Sequence, residues 1–358
     1  MKAYLYLEDG SRFEGTAFGA IRESVSELVF NTGMTGYQEI LTDPSYGAQT
    51  VVMTYPIIGS YGINKTDWES EKISLEGMVV REYCATPSHY MGEQNLDDYL
   101  KQHNVPGIYG VDTRMITKKI RNYGVMKCLL TYKEGTDHLE KLHDFRMPAD
   151  LGQRFGTTKK VVHAGKGIRM GILDLGCKQG IINILKDEGC TIYQYPWNTS
   201  SQEILEDDLE GLLVSNGPGD PKDNDVVIYT LKDLTGKIPL RGICLGNQLL
   251  ALALGADTYK MKFGHRGGNH PAIHLPSNRV IITSQNHGYA VEESSLPADA
   301  EVTWRNINDN TLEGFCHHRL DVEAVQFHPE EGPGPEEGRV ILEEWIRILE
   351  EKKHAEIG

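Results

Sequence analysis

The sequence has few cysteines, no long apolar run and no excess of basic residues. Its six cysteines are scattered over 358 residues without a C-x-x-C pair, so we expect neither a disulfide framework nor a structural zinc site. No segment approaches the roughly 18 consecutive apolar residues of a membrane-spanning helix. Charges at Lys2, Glu8 and Asp9 come too early for a signal peptide. We therefore expect a cytoplasmic protein with free thiols.

The charge balance is strongly acidic. Acidic side chains outnumber basic ones by 51 to 36, which gives a formal net charge of −15. Such a field repels phosphate backbones and anionic lipid headgroups, so neither nucleic acid nor a membrane surface is an expected partner. Because 39% of the residues are hydrophobic, a chain of this length can build two globular domains, each with its own core.

The first part of the chain, residues 1–156, predicts a mostly β domain with a few helices. Short β-rich runs alternate there with turn residues. The predicted strands cover residues 4–7, 27–31, 50–55, 75–80 and 126–131, and the predicted helices cover 95–103 and 113–123, the second capped by Asp112 or Thr113. Residues 157–167 are polar and basic without apolar periodicity, which predicts a flexible linker.

The remainder, residues 168–358, alternates strands and helices and predicts a mainly parallel sheet flanked by helices, so the chain belongs to the α/β class. The predicted strands cover 170–175, 192–196, 211–215 and 240–244, and the predicted helices cover 179–188, 204–209, 226–234 and 248–254. Residues 272–327 favour β hairpins. The helix predicted at 336–352 carries an apolar stripe that indicates core packing.

The most specific local pattern lies at residues 240–248, where an apolar strand leads through Gly-x-Cys-x-Gly into a helix. This is the form of a nucleophile elbow, in which side chains at Gly242 or Gly246 would crowd the neighbouring strand and helix. Backbone N–H groups at the helix start can bind an oxyanion, and the helix dipole favours a thiolate. Although most buried cysteines are structural, this setting predicts Cys244 as a nucleophile.

A thiolate hydrolase also needs a proton shuttle. Among 13 histidines the best placed is His328, in the sequence Gln-Phe-His-Pro-Glu at 326–330, just after a predicted strand. Glu330 lies two residues further on, where its carboxylate could orient the imidazole. Cys244, His328 and Glu330 therefore form a predicted catalytic triad.

Other histidines occur in pairs, namely His317 with His318 and His265 with His270. Along the sequence these pairs lack a carboxylate or cysteine at ligand spacing. We predict that they are surface or turn histidines, and we expect no metal site.

A Pro/Gly loop, Ser-Asn-Gly-Pro-Gly-Asp-Pro at 215–221, follows the predicted strand at 211–215. Ligands bind to parallel sheets at the carboxyl ends of their strands. An ordinary turn would have the same composition, so this loop gains meaning only together with the other motifs.

The elbow, the loop and the His-Pro-Glu motif together resemble the class I (triad) glutamine amidotransferases. Four further segments are similar to the family of small, glutamine-hydrolysing subunits of carbamoyl phosphate synthase: residues 30–46, 110–114, 262–271 and 285–289. The similarity covers nearly the whole chain. Its N-terminal part is the most discriminating, because other class I glutaminases lack that domain.

The resemblance implies a set of site residues. It places the triad on Cys244, His328 and Glu330. The implied L-glutamine contacts are Ser45, Gly217, Gly219, Leu245, Gln248, Asn286, Gly288 and Tyr289. Because Ser45 precedes the predicted linker and the others follow it, we expect a pocket that draws on both domains.

The implied reaction is hydrolysis of glutamine to glutamate and ammonia through a cysteinyl thioester. In the family, ammonia passes to a separate large subunit that uses bicarbonate and ATP with magnesium to make carbamoyl phosphate for arginine and pyrimidine synthesis. The chain itself is expected to carry no cofactor, and residues 1–156 are expected to contact the partner.

Three residues depart from the family pattern, and two alternative functions stay open. Asn247 replaces a common histidine, Gly180 replaces asparagine in Lys-x-Asn, and Glu331 replaces a small residue. Of these, only Asn247 adjoins the expected pocket. The alternatives are a free-standing cysteine amidohydrolase, disfavoured by the extra N-terminal domain, and a catalytically silent binding subunit, disfavoured by the complete triad.

Overall fold

The computed structural model describes residues 1–135, 138–330 and 332–357. It divides into two compact units, Met1–Pro148 and Ala149–Gly358. Both helices and strands build the chain, which confirms the α/β class. No helix among the described residues combines the length and apolar character that a membrane crossing requires.

The first unit is built on a closed β-barrel. In chain order its elements are β1 (Lys2–Leu7), β2 (Arg12–Gly19), β3 (Ser24–Asn31), α1 (Tyr37–Thr42), β4 (Gln49–Met53), β5 (Ile57–Ile58), β6 (Gly77–Val80), β7 (Glu82–Tyr83), α2 (Leu96–Gln102), β8 (Pro106–Tyr109), α3 (Thr113–Tyr123), β9 (Met126–Thr131) and α4 (His138–Asp144). The barrel order is β1-β2-β8-β6-β4-β3-β9, and β5 pairs with β7 separately. Closure leaves these strands without an exposed edge.

Local signals in this unit act as the sequence predicts. The carboxylate of Asp112 accepts a hydrogen bond from the backbone N of Met115 at 2.9 Å and so caps α3. Asp43 caps a 3-10 turn at Pro44–Tyr46 in the same way, since its carboxylate accepts from the backbone N of Ser45 at 2.8 Å.

The second unit contains one large sheet with helices. Its elements are α5 (Leu151–Phe155), β10 (Val161–His163), β11 (Arg169–Asp174), α6 (Gln179–Asp187), β12 (Thr191–Pro196), α7 (Ser201–Leu205), β13 (Gly211–Val214), α8 (Asp225–Leu234), β14 (Leu240–Ile243), α9 (Leu245–Ala253), β15 (Asp257–His274), β16 (Arg279–Glu292), β17 (Glu301–Asn306), β18 (Leu312–His317), β19 (Val322–Val325) and α10 (Arg339–Ile357). The order in the sheet is β10-β12-β11-β13-β14-β19-β18-β17-β15-β16.

The strands β12, β11, β13 and β14 run parallel, as predicted. β19 continues the parallel sheet beside β14, although its residues lie in the region predicted to form hairpins. Two apolar clusters cover this part of the sheet: Ile172 belongs to one and its neighbour Leu173 to the other. Successive residues of a strand point to opposite faces, so this strand is buried on both sides. In this part of the sheet the strand ends, rather than the faces, are accessible to a ligand. A site is therefore expected at the carboxyl ends of the strands.

The predicted linker is wrong. Within residues 157–167, β10 pairs antiparallel with β12 at the edge of the large sheet. The backbone N of Thr157 also donates to the Asp174 carboxylate at 2.8 Å. An edge strand needs backbone pairing on one side only, so its sequence can be polar and hide the strand from a search for apolar periodicity.

The boundary between the units also differs from the prediction, because it falls after Pro148 rather than after residue 156. The cause is α5, which packs with the second unit: a Cβ at Gly152 would lie 3.4 Å from the Leu175 side chain. The predicted hairpins at 272–327 also begin too late, since β15 starts at Asp257 and runs for 18 residues.

Candidate active site

Cys244 lies in the turn between β14 and α9. Its backbone has φ 55° and ψ −102°, a conformation that residues other than glycine rarely adopt. The backbone N of Cys244 donates to the carbonyl oxygen of Val325 at 2.9 Å, and this bond ties the turn to β19. The thiol Sγ lies 3.5 Å from the carbonyl oxygen of Asn286. The fold thus holds one cysteine in a strained turn at the carboxyl end of a central strand.

The two glycines of the elbow are required by close contacts, as the sequence predicts. A Cβ at Gly246 would lie 2.1 Å from the carbonyl oxygen of Val214. A Cβ at Gly242 would lie 2.8 Å from the carbonyl oxygen of Gly246. Both distances are far below van der Waals contact, so only glycine lets α9 start so close to β13 and β14.

His328 and Glu330 lie just beyond the carboxyl end of β19, the strand next to β14. The ring nitrogen Nδ1 of His328 lies 2.6 Å from Oε1 of Glu330, and both side chains are almost completely buried. The backbone N of His328 donates to the carbonyl oxygen of Ser284 at 2.9 Å, which fixes the start of the segment. Nε2 makes no hydrogen bond with the described part of the chain.

These two groups shift each other's pKa in opposite directions. Burial by itself lowers the pKa of His328, but the charges of Glu330 and Cys244 outweigh it and raise this pKa to about 10. Burial by itself raises the pKa of Glu330, but Lys178 and His328 outweigh it and lower that pKa to about 2. At neutral pH the imidazole is therefore protonated, next to Cys244, and the carboxylate is ionised.

Lys178 is a member of this group that the sequence analysis did not select. Its ammonium Nζ lies 2.9 Å from Oε1 of Glu330 and donates to the carbonyl oxygen of Gly332 at 2.7 Å. Only 1% of its side chain is exposed. A lysine just before a helix looks solvent-exposed in the sequence. The available signal was the Lys-x-Asn pattern, which this chain keeps at Lys178 and changes at Gly180.

The loop at 216–220 lies beside the elbow, because β13 and β14 are neighbours and the loop follows β13. A Cβ at Gly217 would lie 2.5 Å from the carbonyl oxygen of Leu175, and Gly219 has φ +98°. The amide of Asn216 bridges to the next strand end, since its Nδ2 donates to the carbonyl of Gly176 at 3.0 Å. The loop backbone is thus held rigidly at the carboxyl edge.

Gln248, Asn286 and Tyr289 also meet at this place. Nε2 of Gln248 donates to the carbonyl oxygen of Tyr289 at 2.9 Å and to Oε1 of Gln326 at 3.0 Å. Gly288 lies between Asn286 and Tyr289 on β16, and Leu245 follows Cys244 at the start of α9. Ser45 lies in the first unit, in the 3-10 turn capped by Asp43, so its role as a glutamine contact stays a prediction.

The departures from the family pattern lie in different surroundings. Asn247 is fully buried, and its Nδ2 lies 3.2 Å from Oε1 of Gln326, the same oxygen that Gln248 uses. Gly180 lies in the first turn of α6. Glu331 falls outside the described residues.

The prediction that the paired histidines lie in turns or on the surface is wrong for His265 and His317, which are buried. Possible metal-ligand groups also occur in the described ranges. In each of two groups the ligand atoms lie within 4.8 Å of one another: His265, His287 and Glu313 form one group, and Glu301, Cys316 and His318 form the other. The sequence search missed them because pairing between strands, not spacing along the chain, brings these residues together.

Comparison with known families agrees with the two units. Residues 171–348 match the family described as Glutamine amidotransferase class-I, so the second unit is a glutamine amidotransferase domain. Residues 5–130 match the family described as Carbamoyl-phosphate synthase small chain, CPSase domain.

The whole chain has close relatives. It is 47% identical over 355 residues to the carbamoyl phosphate synthase small chain of Oceanobacillus iheyensis, covering 98% of this chain and 97% of the relative. It is 48% identical over 350 residues to that of Caldanaerobacter subterraneus, covering 98% and 97%. The chain belongs to the carbamoyl phosphate synthase small chain family. It is thus the glutaminase subunit of a carbamoyl phosphate synthase, which confirms the prediction from the resemblance.

Proposed function

We propose that Cys244, His328 and Glu330 hydrolyse the side-chain amide of L-glutamine. The observation that carries this assignment is the buried pair of His328 and Glu330, 2.6 Å apart, whose electrostatic coupling extends to Cys244. A thiol, an imidazole and a carboxylate in this order supply a nucleophile, a proton shuttle and a group that orients the shuttle.

The protonation states define the first step. In the reactive form the proton shared by the two groups lies on His328, and the sulfur of Cys244 attacks the amide carbon of glutamine. Backbone N–H groups near Leu245 and Gly219 bind the oxyanion. His328 then gives its proton to the leaving nitrogen, the C–N bond breaks, and ammonia departs from a γ-glutamyl thioester on Cys244.

The second step regenerates the enzyme. The now neutral His328 takes a proton from water, and the resulting hydroxide attacks the thioester carbonyl. The C–S bond breaks, and glutamate and the thiolate are released while His328 is again protonated. Throughout, Glu330 holds Nδ1 of His328, so the proton exchange takes place at Nε2.

Glutamine binding is assigned to Ser45, Gly217, Gly219, Leu245, Gln248, Asn286, Gly288 and Tyr289. All of these except Ser45 lie near Cys244 along β16, at the start of α9 or in the loop after β13. The bond from Gln248 to the carbonyl of Tyr289 joins two of these regions. Asn247 shares its acceptor with Gln248, so this departure affects substrate affinity rather than the chemical step.

The ammonia is used by a partner. The family membership supports a large subunit that makes carbamoyl phosphate from bicarbonate, ammonia and ATP with magnesium, while this chain needs no cofactor for its own reaction. Residues 1–148 are assigned to contact with that partner. Carbamoyl phosphate serves arginine and pyrimidine synthesis, and we place the complex in the cytoplasm.

Covalent labelling tests the assignment of the nucleophile. A thiol-directed glutamine analogue should inactivate the chain and attach to Cys244, which mass spectrometry of peptides detects. Glutamine should protect against the label, and Cys244→Ser should abolish it. A label on Cys177 or Cys316 would show that the assignment is wrong. Absence of any Cys244-dependent glutaminase activity would support the silent binding subunit.

A further inference from the structure

A buried polar network lies beside the segment of β16 that carries the proposed glutamine contacts. Its members come from different strands: His265 from β15, Gln285 and His287 from β16, and Glu313 from β18. Each is at most 5% exposed. None of them belongs to the group around Cys244. A buried polar network of this kind needs a reason, because each member loses its hydration.

Glu313 is the centre of the network and is completely buried. Its Oε2 accepts a hydrogen bond from Nε2 of Gln285 at 2.9 Å, and its Oε1 accepts from Nδ2 of Asn306 at 3.0 Å. The same Oε1 lies 3.3 Å from Nδ1 of His265. The carboxylate is therefore held from three sides.

His265 supplies the compensating positive charge. Its Nε2 lies 2.8 Å from Oδ2 of Asp309, so the ring is placed between two carboxylates. Burial by itself lowers the pKa of His265, but Asp309 and Glu313 outweigh it and raise the pKa to about 9. The pair of His265 and Glu313 thus brings little net charge into the interior.

Gln285 and His287 connect Glu313 with the pocket. Oε1 of Gln285 lies 2.8 Å from Nε2 of His287, and Nδ1 of His287 lies 2.8 Å from the carbonyl oxygen of Tyr289. That carbonyl also accepts from Gln248. Alternate residues of a strand point to opposite faces, so Gln285 and His287 hold β16 from the face opposite to Asn286.

Counting protons shows that the network is under-supplied with donors. If Gln285 donates to Glu313, its oxygen faces His287, and His287 must then donate from both ring nitrogens, although burial and the charge of His265 hold the pKa of His287 well below its ordinary value. If the amide of Gln285 is reversed, it donates to a neutral His287, and its oxygen then faces Oε2 of Glu313. Each arrangement therefore lacks one donor hydrogen along the chain from Glu313 to the carbonyl of Tyr289. A glutamine at position 313 would supply that donor without a titratable group.

We propose that Glu313, supported by His265, is a positioning residue for glutamine binding, acting through Gln285 and His287 on the main chain of Asn286–Tyr289. Glu313 does not touch substrate. Its effect is to fix the backbone carbonyls and the strand that line the pocket. This inference rests on the proposed function, because it deepens the assignment of Asn286, Gly288 and Tyr289.

The test first compares two variants of Glu313 in the full chain, purified with its large-subunit partner. Glu313→Leu replaces the carboxylate with an apolar side chain of similar size that accepts no hydrogen bond. We expect this variant to have a KM for glutamine at least about tenfold higher than the wild type. The kcat per active site, with sites counted by labelling a separate sample at Cys244, should stay within about threefold of the wild type. Glu313→Gln should restore the KM to within about threefold, because the new amide can donate to the oxygen of a reversed Gln285 amide and so completes the chain of hydrogen bonds to His287.

Two further variants keep the test decisive. If Glu313→Leu does not fold, Gln285→Leu breaks the same chain of hydrogen bonds one link nearer the pocket and should raise the KM to a similar extent. Glu323→Leu, on β19 of the same sheet but outside the network, is the matched control and should leave the KM unchanged.

Specific results would overturn the proposal. If Glu313 has a purely structural role, Glu313→Leu should have a lower melting midpoint and fewer active sites that can be labelled at Cys244. The sites that remain should then have an unchanged KM for glutamine, and this result would overturn the proposal. A KM of the wild type that rises on treatment with a chelator would show that His265, His287 and Glu313 hold a metal ion instead. If the wild type has no Cys244-dependent glutaminase activity, the proposed function itself fails, which is a different result from an unchanged KM.

Discussion

At the scale of single residues, the chemistry depends on charges that are buried together. Lys178, Glu330 and His328 are each almost completely buried, with Glu330 between the two positive groups. An isolated buried charge is costly, whereas opposed charges with hydrogen bonds compensate one another. Removing Glu330 should therefore leave two positive groups without a counter-charge, whereas removing Lys178 leaves Glu330 with His328 as its remaining positive neighbour.

His328 and Glu330 should differ in their contributions to turnover. We expect His328→Asn to lower glutaminase kcat by several orders of magnitude, because the proton shuttle is lost. Glu330→Ala should cost less, since it removes only orientation and charge compensation. Steady-state kinetics on both variants measure the difference. The glutamine analogue should still label Cys244 in Glu330→Ala, and equal losses in the two variants would contradict the assigned roles.

Lys178→Met should change how stability depends on pH. The folded pKa of Glu330, about 2, lies below its unfolded value, so its ionised form adds stability above the unfolded pKa that is lost as pH falls through about 2. Without Lys178 only His328 opposes the effect of burial on Glu330, so the folded pKa of Glu330 rises and the free energy of unfolding at pH 7 should fall by about 1.5–3 kcal/mol.

Urea unfolding of the wild type and Lys178→Met at pH 7 and pH 4 measures this effect, and the difference between them should shrink at pH 4. Lys222→Met is the matched control, because Lys222 pairs with Asp257 at the exposed surface, 2.6 Å apart. Such pairs contribute little. A loss in Lys178→Met that does not vary with pH would show that Lys178 contributes packing rather than charge.

Ser45 allows a test of substrate binding at one residue. If its hydroxyl contacts the α-carboxylate or α-amino group of glutamine, Ser45→Ala should lose a hydrogen bond to a charged group, about 1.5–3 kcal/mol. The KM should rise more than kcat falls, because that end of the substrate does not change during the reaction. Kinetics and a melting curve on one sample decide: an unchanged KM with a lowered midpoint would mean that Ser45 only supports its turn.

At the scale of elements, the strand–turn–helix formed by β14, Cys244 and α9 decides where the nucleophile lies. Its geometry depends on Gly246, which lies against the carbonyl of Val214. The other end of α9 is followed by Gly255, with φ +91° and open space around its Cβ position. Gly246 is required by a close contact and Gly255 by its backbone conformation, and alanine substitution distinguishes these two requirements.

Gly246→Ala should displace α9 from β13 and lower the free energy of unfolding by about 1–3 kcal/mol. It should also greatly lower kcat, because Cys244 moves with the helix. Gly255→Ala should lower the free energy of unfolding by about 1–2 kcal/mol, because alanine is strained at this positive φ but meets no neighbouring atom. The kcat of Gly255→Ala should equal that of the wild type. Stability alone does not distinguish the two variants, but glutaminase turnover does. A wild-type kcat in Gly246→Ala would show that the close contact does not position Cys244.

At the scale of the whole molecule, the proposed function divides two chemistries between two chains. This chain belongs to a family named as the small chain of carbamoyl phosphate synthase, and its own site is suited to releasing ammonia from glutamine. We therefore expect Cys244→Ser to abolish glutamine-dependent carbamoyl phosphate synthesis by the complex and to leave ammonia-dependent synthesis intact. Measuring both rates on the same preparation tests this separation, and equal loss of the two rates would contradict it.

The sequence alone predicted most elements that have a clear period or a specific turn. The helix at Thr113–Tyr123 and the strand at Met126–Thr131 match the structure at both ends. The elbow at Cys244 could be found because its glycines and its position between strand and helix are local properties. Family resemblance then supplied the function, because its motifs are distributed over nearly the whole chain.

Tertiary structure decided what depends on neighbours that are distant in sequence. Lys178 looks like a surface residue until the fold brings Glu330 to it, 2.9 Å away. β10 looks like a linker until β12 pairs with it. His265, Gln285 and His287 fall in segments that resemble the family, but nothing in the sequence links them to Glu313, because the members of this network lie on three strands. Local patterns determine turns, periods and motifs, whereas buried charge compensation and strand pairing are properties of the assembled sheet, so only the structure shows them.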